Sequence, residues 1–506
     1  MKSSNLTFTF QTRFTYDSKA DEILDDCANL MSRVERTLFA EISAGKSASD
    51  LKSSYLVKFG ITARQFNAIK VELEGKIDSI KELLPSRIQT LSTRIEKLEK
   101  TISKIKKKDV LHQKKRSLAC LKRKLKSLQS DLEKNKIRLC FGSKDLFRQQ
   151  FNLKENGYKN HKNWLSVWKR ERNDSFFCLG SKDETAGNQS CTAFIQEDGS
   201  LTLRLRLPDS LNHGKYLEIP NIRFSYGQET ILAALQSCQD RSRLNNLKDT
   251  NYKHYGQALS YRLKKDKKGW RVLVSTEQVE PECTTKMDLG AIGIDINADH
   301  LAVVETDRFG NLIDHKTIPL VTYGKKSKQS LALIGDASTV IVEWSLRTQK
   351  PIILEKLDFT EKKTELSETK APRYARMLSS FSYSSIIRHI KSRAYRFGVK
   401  VEEVNLAYTS VIGRIKFASR YGLTIHEAAA LAIARRFQEA SERLPRRLDK
   451  IPDGKSGHVT LPLPVRNMRK HVWSGWRHIR KKLLVALAAH FRAMKIDPLI
   501  RRKPAY

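Results

Sequence analysis

The sequence predicts an α+β multidomain fold: a β-barrel carrying an inserted helical segment, followed by an α/β domain. Three observations predict it. A strand-like alternation at residues 6–14 gives way to a long stretch of helical periodicity. Short strands separated by turns then run from about residue 137 to 280. From about residue 289 strands and helices alternate to the end. The implied division is 1–16 for a first barrel strand, 17–136 for the helical insert, 137–285 for the barrel and 286–506 for the α/β domain with a basic tail.

The opening strand, Leu6-Thr7-Phe8-Thr9-Phe10-Gln11-Thr12-Arg13-Phe14, alternates apolar and polar side chains. Helical patterns follow from about Asp17 to Leu84, and Pro85-Ser86 predicts a break with a fresh helix cap. Two heptad runs come next. Leu91, Ile95, Leu98, Ile102 and Ile105 step by four and three, and Leu118, Leu121, Leu125, Leu128 and Leu132 by three and four. Each is too short for a free coiled coil, so the spacing predicts an antiparallel helical hairpin within the chain. Its tip carries Lys106, Lys107, Lys108, Lys114, Lys115 and Arg116, and its exposed face Lys122, Arg123 and Lys124. So one-sided an excess points to phosphate contact; the bland alternative is a solvated lysine face.

The barrel strands are expected at Ile137–Phe141, Ser175–Leu179, Thr192–Ile195, Leu201–Arg206, Tyr216–Ile219 and Trp270–Val274. Arg204 and Arg206 would face outward, where they suit either a backbone-tracking surface or plain solvent. In the α/β domain, Pro351 leads the strand Ile352-Ile353-Leu354-Glu355. Ile386, Ile387, Ile390 and Ala394 share one helical face ended by Gly398. Val399, Val401 and Val404 alternate as a strand, residues 425–440 read as a helix, and the basic tail carries Trp473 and Trp476.

Composition narrows the partners. Lys and Arg number 94 against 55 Asp and Glu, a formal charge of +39, which self-repels unless a polyanion offsets it. An anionic membrane is disfavoured, because the longest apolar run, Leu483 to Ala489, is too short to span and no lipidation motif occurs. Met1-Lys2-Ser3-Ser4 lacks the apolar core of a signal peptide, so the expected location is bacterial cytoplasm at the nucleoid. The seven cysteines are dispersed with no Cys-x-x-Cys pair, which predicts reduced thiols and no zinc site.

The chemistry concentrates in Gly293-Ile294-Asp295-Ile296-Asn297, a buried apolar strand with one carboxylate. A second strand from Leu301, a Phe309-Gly310-Asn311 turn and a third strand follow. This start resembles ribonuclease-H-like nucleases, where a rigid strand holds the first metal-binding acid. Glu355 ends a later apolar strand and is the candidate second acid. Two such acids can share two cations about 4 Å apart.

Together with Tyr408-Thr409-Ser410 and His426-Glu427-Ala428-Ala429-Ala430-Leu431-Ala432-Ile433-Ala434, these motifs resemble the OrfB/TnpB proteins of transposons, relatives of type V CRISPR effectors, over roughly residues 289–436. The resemblance implies an RNA-guided DNA endonuclease of a mobile element. Its guide RNA would lie between recognition helices (REC) and a WED-like barrel, and a RuvC-like domain would cut double-stranded target DNA with Mg²⁺ or Mn²⁺. Asp295 and Glu355 match the family's first two acids and would bind the metal. The third acid does not match: the family's Asp-x-Asn-Ala-Ala stands here as His426-Glu427-Ala428-Ala429-Ala430, and in a His-x-x-Asp register Ala429 replaces the acid. His426 is the candidate third catalytic residue, and Glu427 would need a rotated helix to reach the site. The family's four-cysteine zinc element is also absent. The alternatives are a nuclease-deficient RNA-guided DNA binder and a transposase acting without guide RNA.

Overall fold

The structure is a computed structural model that describes residues 6–103, 105, 108–246, 255–278, 281–356, 383–440, 442–444, 451–454, 457–461 and 471–496. The chain divides into two compact units, Met1–Val279 and Glu280–Tyr506.

In the first unit, β1 (Leu6–Arg13) is followed by α1 (Ser18–Ser43), α2 (Ala48–Phe59), α3 (Ala63–Ile102) and α4 (Lys108–Glu133). After α5 (Lys144–Gln149) and α6 (His161–Arg172) come β2 (Ser175–Cys178), β3 (Cys191–Ile195), β4 (Leu201–Arg206), β5 (Tyr216–Ile222), α7 (Gln228–Asn246), β6 (Leu259–Asp266) and β7 (Gly269–Gln278). The opening strand pairs antiparallel with β7, Phe10 opposite Val274, so the helices are inserted between two neighbours of one sheet.

Three expectations are corrected. The strands do not close a barrel: among the described residues they form two open sheets, β1-β7-β6-β2 and β3-β4-β5. Buried Asn188 lies between β2 and β6 of the first sheet and the start of β3 in the second. Its amide donates to the carbonyls of Cys178 and Leu259, and its Oδ1 accepts from the N–H groups of Ser190 and Cys191, so a side chain stands where ladder bonds would run. Pro85 does not break the helix, since α3 runs through it. A helix-interior proline costs about 3 kcal/mol, and burial of Leu84, Leu91 and Ile95 along one face offsets it. Ile137–Phe141 is not a strand. Ile137, Leu139 and Phe141 lie instead against the α1–α3 cluster, with Phe141 edge-on to Phe39 at 5.6 Å.

Helices α3 and α4 pack together across the short connection 103–107, as an antiparallel hairpin must. The α4 leucines are only half-buried, and Leu132 is exposed.

The second unit is built on a five-stranded sheet. Its strands are β8 (Ile292–Ile296), β9 (His300–Thr306), β10 (Leu312–Pro319), β11 (Ile352–Lys356) and β12 (Val401–Asn405), in the order β10-β9-β8-β11-β12. The first three are antiparallel hairpin neighbours, and β11 runs parallel to both β8 and β12. Helices α8 (Ser327–Thr348) and α9 (Tyr383–Arg396) cover one face with a core of Ile292, Ile294, Val303, Leu354, Ile341 and Ile390. After α10 (Thr409–Ile412) and the π-helical turn Gly413–Ala418, α11 (Ile425–Phe437) covers the other face. The tail forms α12 (Val472–Ile496). Among the described residues no helix is long and apolar enough to cross a membrane.

Helix α11 lies almost in backbone contact with β8. Residues Ala428 to Ala434 are fully buried, and five of the seven are alanines. A Cβ on Gly293 would stand 2.2 Å from the Ala430 carbonyl oxygen and 2.9 Å from Ala434 Cβ. Gly293→Ala is therefore expected to destabilise the protein by about 1–3 kcal/mol, the range for overpacking against atoms that cannot yield. Denaturant unfolding followed by circular dichroism measures it; an unchanged midpoint would mean that the helix seats more loosely.

Candidate active site

Strands β8 and β11 pair in register, Ile352 with Ile292 and Ile353 with Gly293. Continuing that register brings Glu355 level with Asp295. Since successive side chains alternate, Gly293 and Asp295 on β8 and Ile353 and Glu355 on β11 all face α11. Both carboxylates are buried.

Asp295 Oδ2 accepts from the Asn297 amide at 2.9 Å and lies 3.0 Å from His426 Nδ1, on the first turn of α11. A carboxylate can only accept, so Nδ1 carries the proton and the other ring nitrogen, Nε2, remains for further chemistry. The imidazole is 47 % exposed, so that nitrogen has access to solvent. Glu355 Oε1 faces the Thr409 hydroxyl at 3.5 Å, a long contact; the same hydroxyl donates to the Leu406 carbonyl at 2.9 Å. The structure thus joins His426 to Asp295, and the strand register sets Glu355 at the same level on the neighbouring strand.

It does not bring in Glu427. That carboxylate closes the α11 capping box, accepting from the N–H and hydroxyl of Thr424 at 3.0 and 2.8 Å. It also accepts from Thr317 at 3.0 Å and meets His315 Nδ1 at 3.1 Å, both on β10. Burial alone would raise its pKa. Bonds from His315, Thr424 and Thr317 outweigh burial and bring it down to about 2. Ala429, the other candidate register for a third acid, is buried.

Three neighbours escaped the sequence reading. His300 opens β9; its ring stands edge-on to His426 with centroids 4.9 Å apart, and its Nδ1 lies 2.7 Å from Asp299 Oδ1. The only sequence signal was its place in the turn after the Asp295 strand. Tyr383 starts α9 and packs in the core on the α8–α9 face; its phenol pKa is raised by burial and then by the charges of Glu355 and Asp295. Arg436, in the last turn of α11, has its pKa lowered by burial, while Glu442 and Glu355 pull it back up.

Asp295 differs in its donors from two other buried carboxylates of this unit. Glu305 receives Lys350 Nζ at 2.6 Å and Trp344 Nε1 at 2.7 Å. Glu442 is held by Lys416 and by Arg435. Asp295 is held by an amide and an imidazole. Among the described residues no three His, Cys, Asp or Glu side chains converge as a ready-made metal cluster. Two carboxylates are nevertheless a sufficient protein contribution for Mg²⁺, which binds through one or two carboxylates, waters and substrate phosphates.

The candidate phosphate-binding residues lie in the first unit. Lys106 and Lys107 fall outside the described residues. Lys108, Lys114, Lys115, Arg116, Lys122, Arg123 and Lys124 are all exposed, and Lys122 pairs with Glu99 at 2.7 Å.

Several solved structures are similar to the chain at low TM-score. T. thermophilus RuvC in complex with a Holliday junction substrate matches at 16 % identity over 29 % of this chain and 90 % of that chain, with TM-score 0.21. A CRISPR-Cas12f ternary complex matches at 12 % over 85 % and 98 %, also at 0.21. A Cas12i–crRNA–dsDNA complex matches at 9 % over 65 % and 53 %, at 0.25. At such TM-scores these similarities establish neither fold nor activity. No protein-family model matches, and no curated protein is similar.

The capping role of Glu427 has a pH signature. Its folded-state pKa lies below the ordinary value of 4.5, so the stabilisation is full above about pH 4.5 and is lost as pH falls towards about 2. Glu427→Gln is expected to cost about 1–3 kcal/mol at neutral pH. The gap to the unsubstituted protein should narrow across that acidic window. Urea unfolding at several pH values measures it, and a gap independent of pH would contradict the assignment.

Proposed function

We propose that this chain is an RNA-guided DNA endonuclease of a mobile element, cutting with a RuvC-like, metal-dependent site. The observation that carries the reading is the register of β8 and β11, which sets Asp295 and Glu355 side by side, with His426 on Asp295. The charge of +39 and the exposed basic hairpin support nucleic-acid partners, guide RNA and target DNA.

Asp295 and Glu355 would hold Mg²⁺ or Mn²⁺ through hard oxygen donors. Bound there, the ion would supply an activated water and neutralise charge on the leaving oxygen. Strand backbone fixes both acids, so their separation changes little during turnover. Asn297 orients Asp295 through Oδ2. His426 donates through Nδ1 to the same oxygen, and its Nε2 can take or give a proton at the reacting phosphate.

One observation favours a second reading, a nuclease-deficient RNA-guided DNA binder. Helix α11 supplies no third carboxylate to the pair, because Glu427 is committed to Thr424, His315 and Thr317.

Cleavage of a matched duplex by the RNA-loaded protein in Mg²⁺ separates the readings. Asp295→Ala and Glu355→Ala should each abolish cleavage while leaving guided binding nearly intact. His426→Ala should slow cleavage by about 10²–10⁴-fold, the usual contribution of a general acid or base. Glu427→Ala should lower stability but leave the folded protein active. Tight guided binding by the unsubstituted protein with no cleavage in Mg²⁺ or Mn²⁺ would replace the nuclease with the binder.

A further inference from the structure

Next to Glu355 the chain builds an aromatic and cationic cluster that metal binding does not use. After β12 the backbone turns sharply, and Tyr408 sits in the left-handed region at φ 66°. This is an uncommon conformation for a residue with a side chain. Tyr408 directly precedes Thr409, whose hydroxyl faces Glu355. Its ring stands edge-on to Trp473 of α12, centroids 6.1 Å apart and planes at 74°. The Arg436 guanidinium lies over the Trp473 ring at 5.7 Å and donates to the Asn405 carbonyl. His471 is edge-on to the same indole at 5.8 Å, and its Nδ1 accepts from the Trp473 N–H at 3.2 Å.

Two tryptophans less than one turn apart serve different ends. Trp476 is fully buried and its Nε1 donates to the Glu442 carbonyl at 2.9 Å, so it anchors α12. Trp473 remains 39 % exposed while two edge-on rings and a cation fix its orientation. Around it α12 exposes Arg477, Arg480 and Lys481, a surface suited to a polyanion rather than an apolar partner. A rigid, exposed indole in a basic surround is what stacking of an unpaired base requires, and such stacking is tolerant of base identity.

We propose that Trp473 is a stacking platform for one unpaired base of the strand entering the Asp295–Glu355 site. Tyr408 and Arg436 are positioning residues that hold its ring. The ligand class is single-stranded nucleic acid. The platform's place in the reaction rests on the nuclease reading, but its binding chemistry does not.

The test uses the full chain, free of nucleic acid, in EDTA so that cleavage is not needed. Single-stranded oligodeoxynucleotides carry 2-aminopurine at successive positions, one per oligonucleotide. Quenching should be strong at one position, absent for Trp473→Ala and retained for Trp473→Phe, with thermal unfolding of both variants unchanged. Trp473→Ala should weaken binding by about tenfold, in the range of one base–aromatic stack. An abasic nucleotide at the quenched position should cost the unsubstituted protein the same factor and cost Trp473→Ala nothing further. Equal quenching and affinity in Trp473→Ala, or additive losses from the abasic nucleotide, would overturn the platform. So would loss of a bound protein partner with oligonucleotide binding unchanged. Position-specific, Trp473-dependent quenching by a protein that never cleaves in Mg²⁺ would keep the platform and overturn the nuclease reading.

Discussion

The close seating of α11 on β8 is the constraint on which the site depends. A helix and a sheet ordinarily stand apart by the thickness of interleaved side chains. Here Gly293 offers no side chain and meets the Ala430 carbonyl and the Ala434 methyl and N–H, so the two backbones approach. That approach lowers the first turn of α11 onto the end of β8 and puts His426 Nδ1 within 3.0 Å of Asp295. Gly413 repeats the device on the far side of the helix, where a Cβ would stand 2.4 Å from the Ala428 carbonyl oxygen. Alanine forms helix well and loses no rotamer freedom, so close packing here does not weaken the helix.

The same seating fixes which acid can serve. Adjacent positions on a helix point about 100° apart, so His426 over Asp295 directs Glu427 towards β10. There Glu427 satisfies the helix N-terminus and finds His315 and Thr317. Its negative charge beside the first N–H groups also favours the helix dipole. Two other buried acids of the unit meet lysine, arginine or indole donors, Glu305 with Lys350 and Trp344 and Glu442 with Lys416 and Arg435. Pairing with Lys350 neutralises the Glu305 charge that would otherwise attract a cation. Asp295 is bonded only at Oδ2 by the hydrogen bonds described, which suits a ligand that must also reach a substrate phosphate.

Much of this unit was legible in the sequence because its strands are apolar runs bounded by turns. Strands β8 to β10, β11 with Glu355 one residue from its end, and α9 before Gly398 fall where the pattern put them, while β12 begins at Val401 and leaves Val399 outside. Local pattern could not reveal what depends on distant partners. The alternation of Ile137, Leu139 and Phe141 is real, but it meets helices instead of a strand. Strand β6 was missed although Leu259, Tyr261 and Leu263 alternate with polar residues and form its buried face. Closure of a barrel was inferred from short strands separated by turns, whereas the strand pairing gives two open sheets among the described residues. His300 reaches His426 only through tertiary placement. Pro85 shows a local rule yielding to the summed burial of a long helix.

The central claim is that Asp295 and Glu355 together hold a divalent cation. The most direct measurement is anomalous diffraction from crystals of the nucleic-acid complex grown with Mn²⁺. The account predicts a peak bonded to both an Asp295 and a Glu355 carboxylate oxygen, lost in Glu355→Ala crystals. A map of equal quality with bound nucleic acid and no peak between these carboxylates, or with Mn²⁺ held by other side chains, would contradict it.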